Sequence, residues 1–184
     1  LSHSSAASDV YKRQIMGRYY AIEDGEHPDV AEAQLEQYLP RFSGDDIPAT
    51  AVGATLAISD KLDTIVGIFS IGQQPSGSRD PFALRRASLG VLRILINRAI
   101  DLDLNDAINI AGNQLKLDSK ALELIRKQVL AYVLERFKSW YKEKGLSPEI
   151  FLSVAALDLS NPLDIDSRVK AVSYTHLTLP TSVT

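Results

Sequence analysis

The sequence predicts an all-α fold, a helical bundle, and three observations point there. Apolar residues recur at spacings of three and four along the longer segments, the repeat of one face of an α-helix. A capping side chain followed by proline opens three segments, at Asp80-Pro81, Ser147-Pro148 and Asn161-Pro162, and proline is favoured at the first helical position because its missing N–H would be unpaired there anyway. No convincing period-2 alternation marks a strand, and no internal repeat of about 20 to 50 residues marks a solenoid.

The elements follow in order. After the aromatic, glycine-punctuated opening MGRYYAIEDGEH (16 to 27), Ala31, Leu35 and Leu39 stand four apart and predict a short amphipathic helix from Asp29 to Leu39, with Asp29 as its cap. PRFSGDDIP (40 to 48) is a loop by composition. From Thr50 to Ile71 the stripe Ile58, Leu62, Ile65 and Phe69 predicts a long buried helix that Gly72 ends. A helix from Pro81 to Ile100 carries Leu84, Val91, Leu92 and Leu95 on a wide apolar face, and a shorter one covers Leu104 to Ala111. Ser119 to Lys144 is the clearest element, with Leu122, Ile125, Val129, Tyr132, Phe137 and Trp140 on one broad side. Lys142 and Lys144 complement its dipole and Gly145 stops it. The helix opened by Ser147-Pro148 turns Ile150, Val154 and Leu157 inward, and Asn161-Pro162 opens a last one.

The bulk properties exclude several chemistries. The 184 residues, 45% of them hydrophobic, suffice for one ordinary domain or two small ones. Without cysteine there is no disulfide framework, no thiolate nucleophile and no cysteine-ligated zinc. No apolar run approaches the roughly 18 to 20 residues that cross a bilayer, so no membrane association and a cytoplasmic location are expected. The formal charge of −3 leaves nucleic-acid contact to a local basic patch.

Both ends differ from the interior. LSHSSAASDVYKRQ (1 to 14) has neither helical nor strand periodicity, and SYTHLTLPTSVT (173 to 184) carries no acidic or basic side chain. Both read as adapter-like, non-native tails, with disordered natural termini as the alternative. His3 and His176 lie in these tails, which leaves His27 as the one interior histidine, too few for a metal site.

Candidate sites are correspondingly few. Gly72 to Arg79, GQQPSGSR, has the two glycines of a phosphate-binding loop but Ser-Arg in place of Lys-Ser or Lys-Thr, and it follows a helix instead of a strand; a plain interhelical turn is expected. Asp60 and Asp63 stand three apart and could share one side of their helix, yet two carboxylates are a poor divalent-cation site, and salt bridges with Lys61 or with arginines elsewhere are the simpler reading. Asp45-Asp46 reads as a solvated loop pair, His27 as a loop histidine, and Trp140 with Tyr141 as core and rim. Arg79, Arg85, Arg86 and Arg93 are the one basic concentration; Arg86 and Arg93 are seven apart and nearly eclipsed on their helix. A planar guanidinium fork suits phosphate oxygens, and pairing with neighbouring carboxylates is the competing role.

MGRYYAIEDGE (16 to 26), YLPRFSGDDIP (38 to 48), ISDKLDTIVGIFSIGQQPSGSRDPFALRRASLGVLRI (58 to 94) and FKSWYKEKG (137 to 145) resemble the β subunit of bacterial heterotetrameric glycyl-tRNA synthetase. The resemblance runs from about Ile15 to Val172 and implies an internal fragment preceding the anticodon-binding domain. It implies an HD-superfamily-like helical region over 15–102 followed by a C-terminal helical region over 103–172. Asp60 in SDKLDT looks like the place of the last aspartate of the metal-binding His, His-Asp, Asp pattern. The histidines of that pattern are absent, which makes it a degenerate position. In such an enzyme ATP and Mg2+ act through the α subunit, where glycine and ATP give glycyl-adenylate before the tRNA ribose accepts the glycyl group. The fragment is expected to bind no cofactor and to have no catalytic residue. Its implied partners are the α subunit, tRNA(Gly) and the rest of the β subunit. A purely structural scaffold and a metal-dependent HD-type phosphohydrolase are the alternatives.

Overall fold

The computed structural model describes residues 2–77 and 79–178. Leu1, Ser78 and the end of the C-terminal tail, 179–184, lie outside the described residues. Eight α-helices and one isolated two-residue bridge make up the regular structure among the described residues, which establishes the all-α class. The chain divides into two compact units, one up to Lys61 and one from Leu62 onward, with the division inside the third helix.

In the first unit, α1 (Ser2–Glu23) ends where Gly25 takes φ +77°. Gly25 N–H bonds to the Ile22 carbonyl and Glu26 N–H to the Ala21 carbonyl, pairing two of the carbonyls that a helix end leaves open. The helix takes in residues 2–14, for which the sequence suggests no element, and the aromatic opening that follows. Next, α2 (Pro28–Glu36) starts one residue earlier than expected. Its cap is His27, whose Nδ1 accepts the Asp29 N–H at 3.2 Å, and Pro28 takes the first helical position. The same cap-then-proline pattern that marks later helices is present here with histidine as the capping side chain.

The third helix, α3 (Ala51–Ser70), is started by a relay. Thr50 Oγ1 accepts the Gly53 N–H at 2.9 Å and donates to the carboxylate of Glu36. That carboxylate also accepts the N–H groups of Ala49 at 2.6 Å and Thr50 at 3.2 Å. Glu36 is 4% exposed, and a Cβ on Gly53 would lie 2.6 Å from Glu36 Cβ, so only glycine lets the two segments approach this closely. The loop before α3 is closed by Arg41 and Asp45. Arg41 donates through its backbone N–H at 2.7 Å, Nε at 2.9 Å and Nη2 at 3.2 Å. Asp45 is therefore buried and paired, not solvated, and the Arg41 hydrogen bonds hold its carboxyl below the usual carboxylate range.

In the second unit, the remainder of α3 supplies Leu62, Ile65, Val66 and Phe69 to the core, and Gly72 (φ +70°) stops it as the sequence predicts. The fourth helix, α4 (Leu84–Asn97), begins three residues later than Pro81. Ala83 sits in the left-handed region (φ 55°), so Pro81 and Phe82 form a turn outside the helix. Asp80 still caps it from farther back, accepting Leu84 N–H at 2.8 Å and Arg85 N–H at 3.0 Å. The face Leu84, Val91, Leu92, Leu95 is fully buried.

Then come α5 (Leu104–Asn113), α6 (Ser119–Glu143), α7 (Pro148–Ala155) and α8 (Pro162–Thr178). Asp103, Asp118, Ser147 and Asn161 cap them in turn, accepting backbone N–H groups at 2.7, 2.9, 3.3 and 2.9 Å, each such cap contributing about 1 kcal/mol. Asp103 also accepts Ser160 Oγ at 2.6 Å, which ties the start of α5 to the chain entering α8. Gly145 (φ +77°) ends α6 as expected. In α7 the buried residues are Phe151 and Val154, while Leu157 is exposed. The helix stops at Ala155 and Asp158 adopts φ 50°, so Leu157 falls outside the helical repeat. The last helix continues past Val172 into the segment read as a tail.

Candidate nucleic-acid interface

The four arginines lie around the turn between α3 and α4 and along α4. A short bridge between Ser76 and Arg79, with Arg79 N–H bonded to the Ser76 carbonyl at 3.0 Å, folds residues 72–80 tightly. Gln74 Nε2 donates to Gln128 Oε1 at 2.9 Å and fastens the turn to α6. Arg85 is half-buried and donates through Nη2 to the Gly77 carbonyl, so its guanidinium holds the loop. Both oxygens of Asp80 occupy the first turn of α4, which places negative charge where a phosphate loop would present free N–H groups.

Arg79 and Arg86 are exposed, and Arg93 is half-buried two turns along α4, roughly 10 Å from Arg86 at 1.5 Å per residue. Arg86 and Arg93 each have interactions of their own. The structure thus leaves Arg79 and Arg86 as the outward pair, with Arg85 supporting the turn beneath them. Behind the turn, the Arg136 guanidinium lies over the Tyr132 ring at 5.0 Å, and Phe69 meets that ring edge-on at 5.2 Å. Burial, then the nearby Asp80 carboxylate, push the Tyr132 hydroxyl above its ordinary range. Tyr132 Oη and Arg136 Nε are buried atoms with no hydrogen-bond partner.

Asp60 and Asp63 are exposed on α3, and among the described residues no three His, Cys, Asp or Glu side chains are arranged to hold a metal ion. Lys61, between them, is buried and turns away to donate through Nζ to the Gln37 carbonyl at 3.1 Å, at the C-terminus of α2. Burial pushes this amine down to about 8, with Asp60 opposing the shift. The native amine thus releases its proton near pH 8 and the unfolded one near 10.5. Between those values the unfolded chain binds more protons, so stability should rise with pH across that window. A Lys61→Met variant should lack this rise when urea-unfolding free energies are compared from pH 7.5 to 10. An identical slope in both proteins would remove Lys61 as its source.

Trp140 and Tyr141 belong to the core. Tyr141 donates to Asp166 Oδ1 at 2.8 Å, and Lys144 Nζ sits 4.1 Å above the Trp140 ring.

The family described as "Glycyl-tRNA synthetase beta subunit" matches residues 13–156. The chain belongs to that family. The glycine–tRNA ligase beta subunit of Chromohalobacter salexigens is 51% identical over 158 residues, which cover 86% of this chain and 23% of the relative. That of Pseudomonas fluorescens strain Pf0-1 is 52% identical over the same length and shares. The Vibrio atlanticus beta subunit is 51% identical over 160 residues, 87% of this chain and 23% of the relative. The chain thus spans about a quarter of the length of these glycyl-tRNA synthetase relatives, and the resemblance carried by residues 58 to 94 is upheld. An HD-superfamily relationship does not follow from these matches.

Proposed function

We propose that this chain works as an internal, non-catalytic helical part of a glycine–tRNA ligase β subunit. In this reading it supports ATP-dependent glycyl-tRNA formation in the cytoplasm by helping to hold tRNA(Gly) and to assemble with the α subunit, where ATP and Mg2+ act. The observation that carries it is the 51% identity with curated beta subunits over 86% of the chain. In this reading 15–102 and 103–172 are its two regions, and 1–14 and 173–184 are foreign to the subunit. Among the described residues no helix is long and apolar enough to cross a membrane.

The tRNA-contact candidates are Arg79 and Arg86 at the surface, Arg93 beside them and Arg85 as the residue that shapes the turn. The purely structural reading draws on a groove of about 240 Å³ walled by Leu130 and Leu134 of α6 and by Phe151 and Ala155 of α7, with Leu157 exposed nearby. The two readings divide on one experiment. Residues 15–172 replace the matching segment of the Pseudomonas fluorescens beta subunit, which is then produced with its partner subunit and assayed for tRNA glycylation. Charging should be retained, and Arg79→Glu with Arg86→Glu should weaken tRNA binding and flatten its salt dependence. A folded chimaera that does not charge tRNA would overturn the ligase reading. Charging with unchanged tRNA affinity in the double variant would favour the scaffold.

A further inference from the structure

Several described cations of this chain lie beside carboxylates. Arg18 pairs with Glu32, Arg41 with Asp45, Arg126 and Lys127 with Glu123, Arg168 with Asp164 and Lys170 with Asp166. The outer face of α6 carries such pairs and further lysines beside them. Lys120, Lys127, Lys138 and Lys142 are all exposed, and their separations of seven, eleven and four residues are near-whole numbers of helical turns, so they form one stripe. At about 1.5 Å per residue the stripe is roughly 33 Å long. Lys127 shares the single charge of Glu123 with Arg126, Glu135 pairs with Arg136, and Asp158 lines the same groove as Lys127 and Ala131. Lys120, Lys138 and Lys142 have no ion pair among the described residues. Between the lysines the face presents Leu124, 57% exposed, and Ala131.

We infer that this lysine stripe on α6 is an RNA-backbone contact surface, separate from the arginines of α4. The inference rests on the tRNA-ligase reading above for the identity of the polyanion. Four ammonium groups over that length suit a rod of regularly spaced phosphates, each a point charge that a lysine meets without demanding a fixed orientation. Aligned cations cost self-repulsion in the free protein, and that repulsion is relieved when an anionic rod lies along them. Dipole complementation explains Lys142 alone, since it acts only within the last turn.

The test uses the chimaeric beta subunit with its partner, and tRNA binding is measured against salt concentration independently of charging. Lys138→Glu with Lys142→Glu should weaken binding at low salt by tenfold or more. The milder Lys138→Gln with Lys142→Gln should lower the slope of log affinity against log salt by between about one and two, as expected for two lost phosphate contacts. Circular dichroism of both variants should match the parent, because the replaced side chains are exposed. An unchanged slope in the glutamine variant overturns the inference, whether or not the parent charges tRNA. Weakened subunit assembly with an unchanged slope also overturns it, assigning the stripe to an acidic protein surface. Failure of charging by the unsubstituted chimaera is a failure of the ligase reading, and the binding slope still decides for or against the stripe.

Discussion

Replacing Phe137 with alanine should lower the unfolding free energy by about 3–5 kcal/mol, the range for emptying a buried aromatic site. Phe137 is fully buried at the middle of an aromatic group on α6 and α7. Its ring is near-parallel to Tyr141 (5.4 Å, 6°) and to Trp140 (5.8 Å, 22°), and Phe151 lies 6.0 Å away. Removing it takes three ring contacts at once, and the neighbours are held by other bonds. Tyr141 is hydrogen-bonded to Asp166, which is itself buried and paired with Lys170 at 2.6 Å. The cavity therefore cannot collapse fully, which puts the cost toward the upper end. Phe137→Leu keeps most of the volume and should cost about 1–1.5 kcal/mol. Urea unfolding followed by circular dichroism measures both. A loss below about 1 kcal/mol for the alanine variant would show that the four rings do not pack as a unit.

That ring group also shows why α6 was legible in the sequence and its neighbourhood was not. The spacing of Ile125, Val129, Phe137 and Trp140 is a local pattern, so the helix and its inner face can be read from one segment, as can the stops at Gly72 and Gly145. Leu157 and the start of α4 could not be read that way. Each depends on a left-handed residue, Asp158 or Ala83, that carries no glycine to announce it. The helix over residues 2–14 has no apolar repeat to betray it.

The candidate site divides along the same line. Arg79, Arg85, Arg86 and Arg93 are visible because three of them lie within eight residues. That Arg85 is spent on the Gly77 carbonyl depends on how the turn folds, which spacing does not encode. The α6 lysines at positions 120, 127, 138 and 142 are equally encoded in spacing along the helix Ser119–Glu143, but seven to eleven residues separate most of them, so they form no local run.

Glu36 is the least legible functional-looking residue and the second site where substitution should be severe. It sits at the end of a short helix, yet it is buried and caps a helix that begins fifteen residues later. Its carboxylate accepts from Ala49 N–H, Thr50 N–H and Thr50 Oγ1, so Glu36→Ala leaves these donors unpaired in a buried site. Buried unpaired donors cost about 1–3 kcal/mol each, and the helix cap relayed through Thr50 weakens as well. Water entering the space recovers part of this, giving an expected loss of about 2–4 kcal/mol. Glu36→Gln keeps one acceptor and should cost less than alanine. Gly53→Ala attacks the same contact from the other side, since its Cβ would lie 2.6 Å from Glu36 Cβ and 2.8 Å from Cδ. Alanine at both positions removes the Cδ overlap and leaves the Cβ one. The double variant should therefore lose less than the sum of the two single losses, the coupling expected of residues in contact. Additive losses, or a Glu36→Ala variant within about 0.5 kcal/mol of the parent in urea unfolding, would show that α3 does not depend on this carboxylate to start.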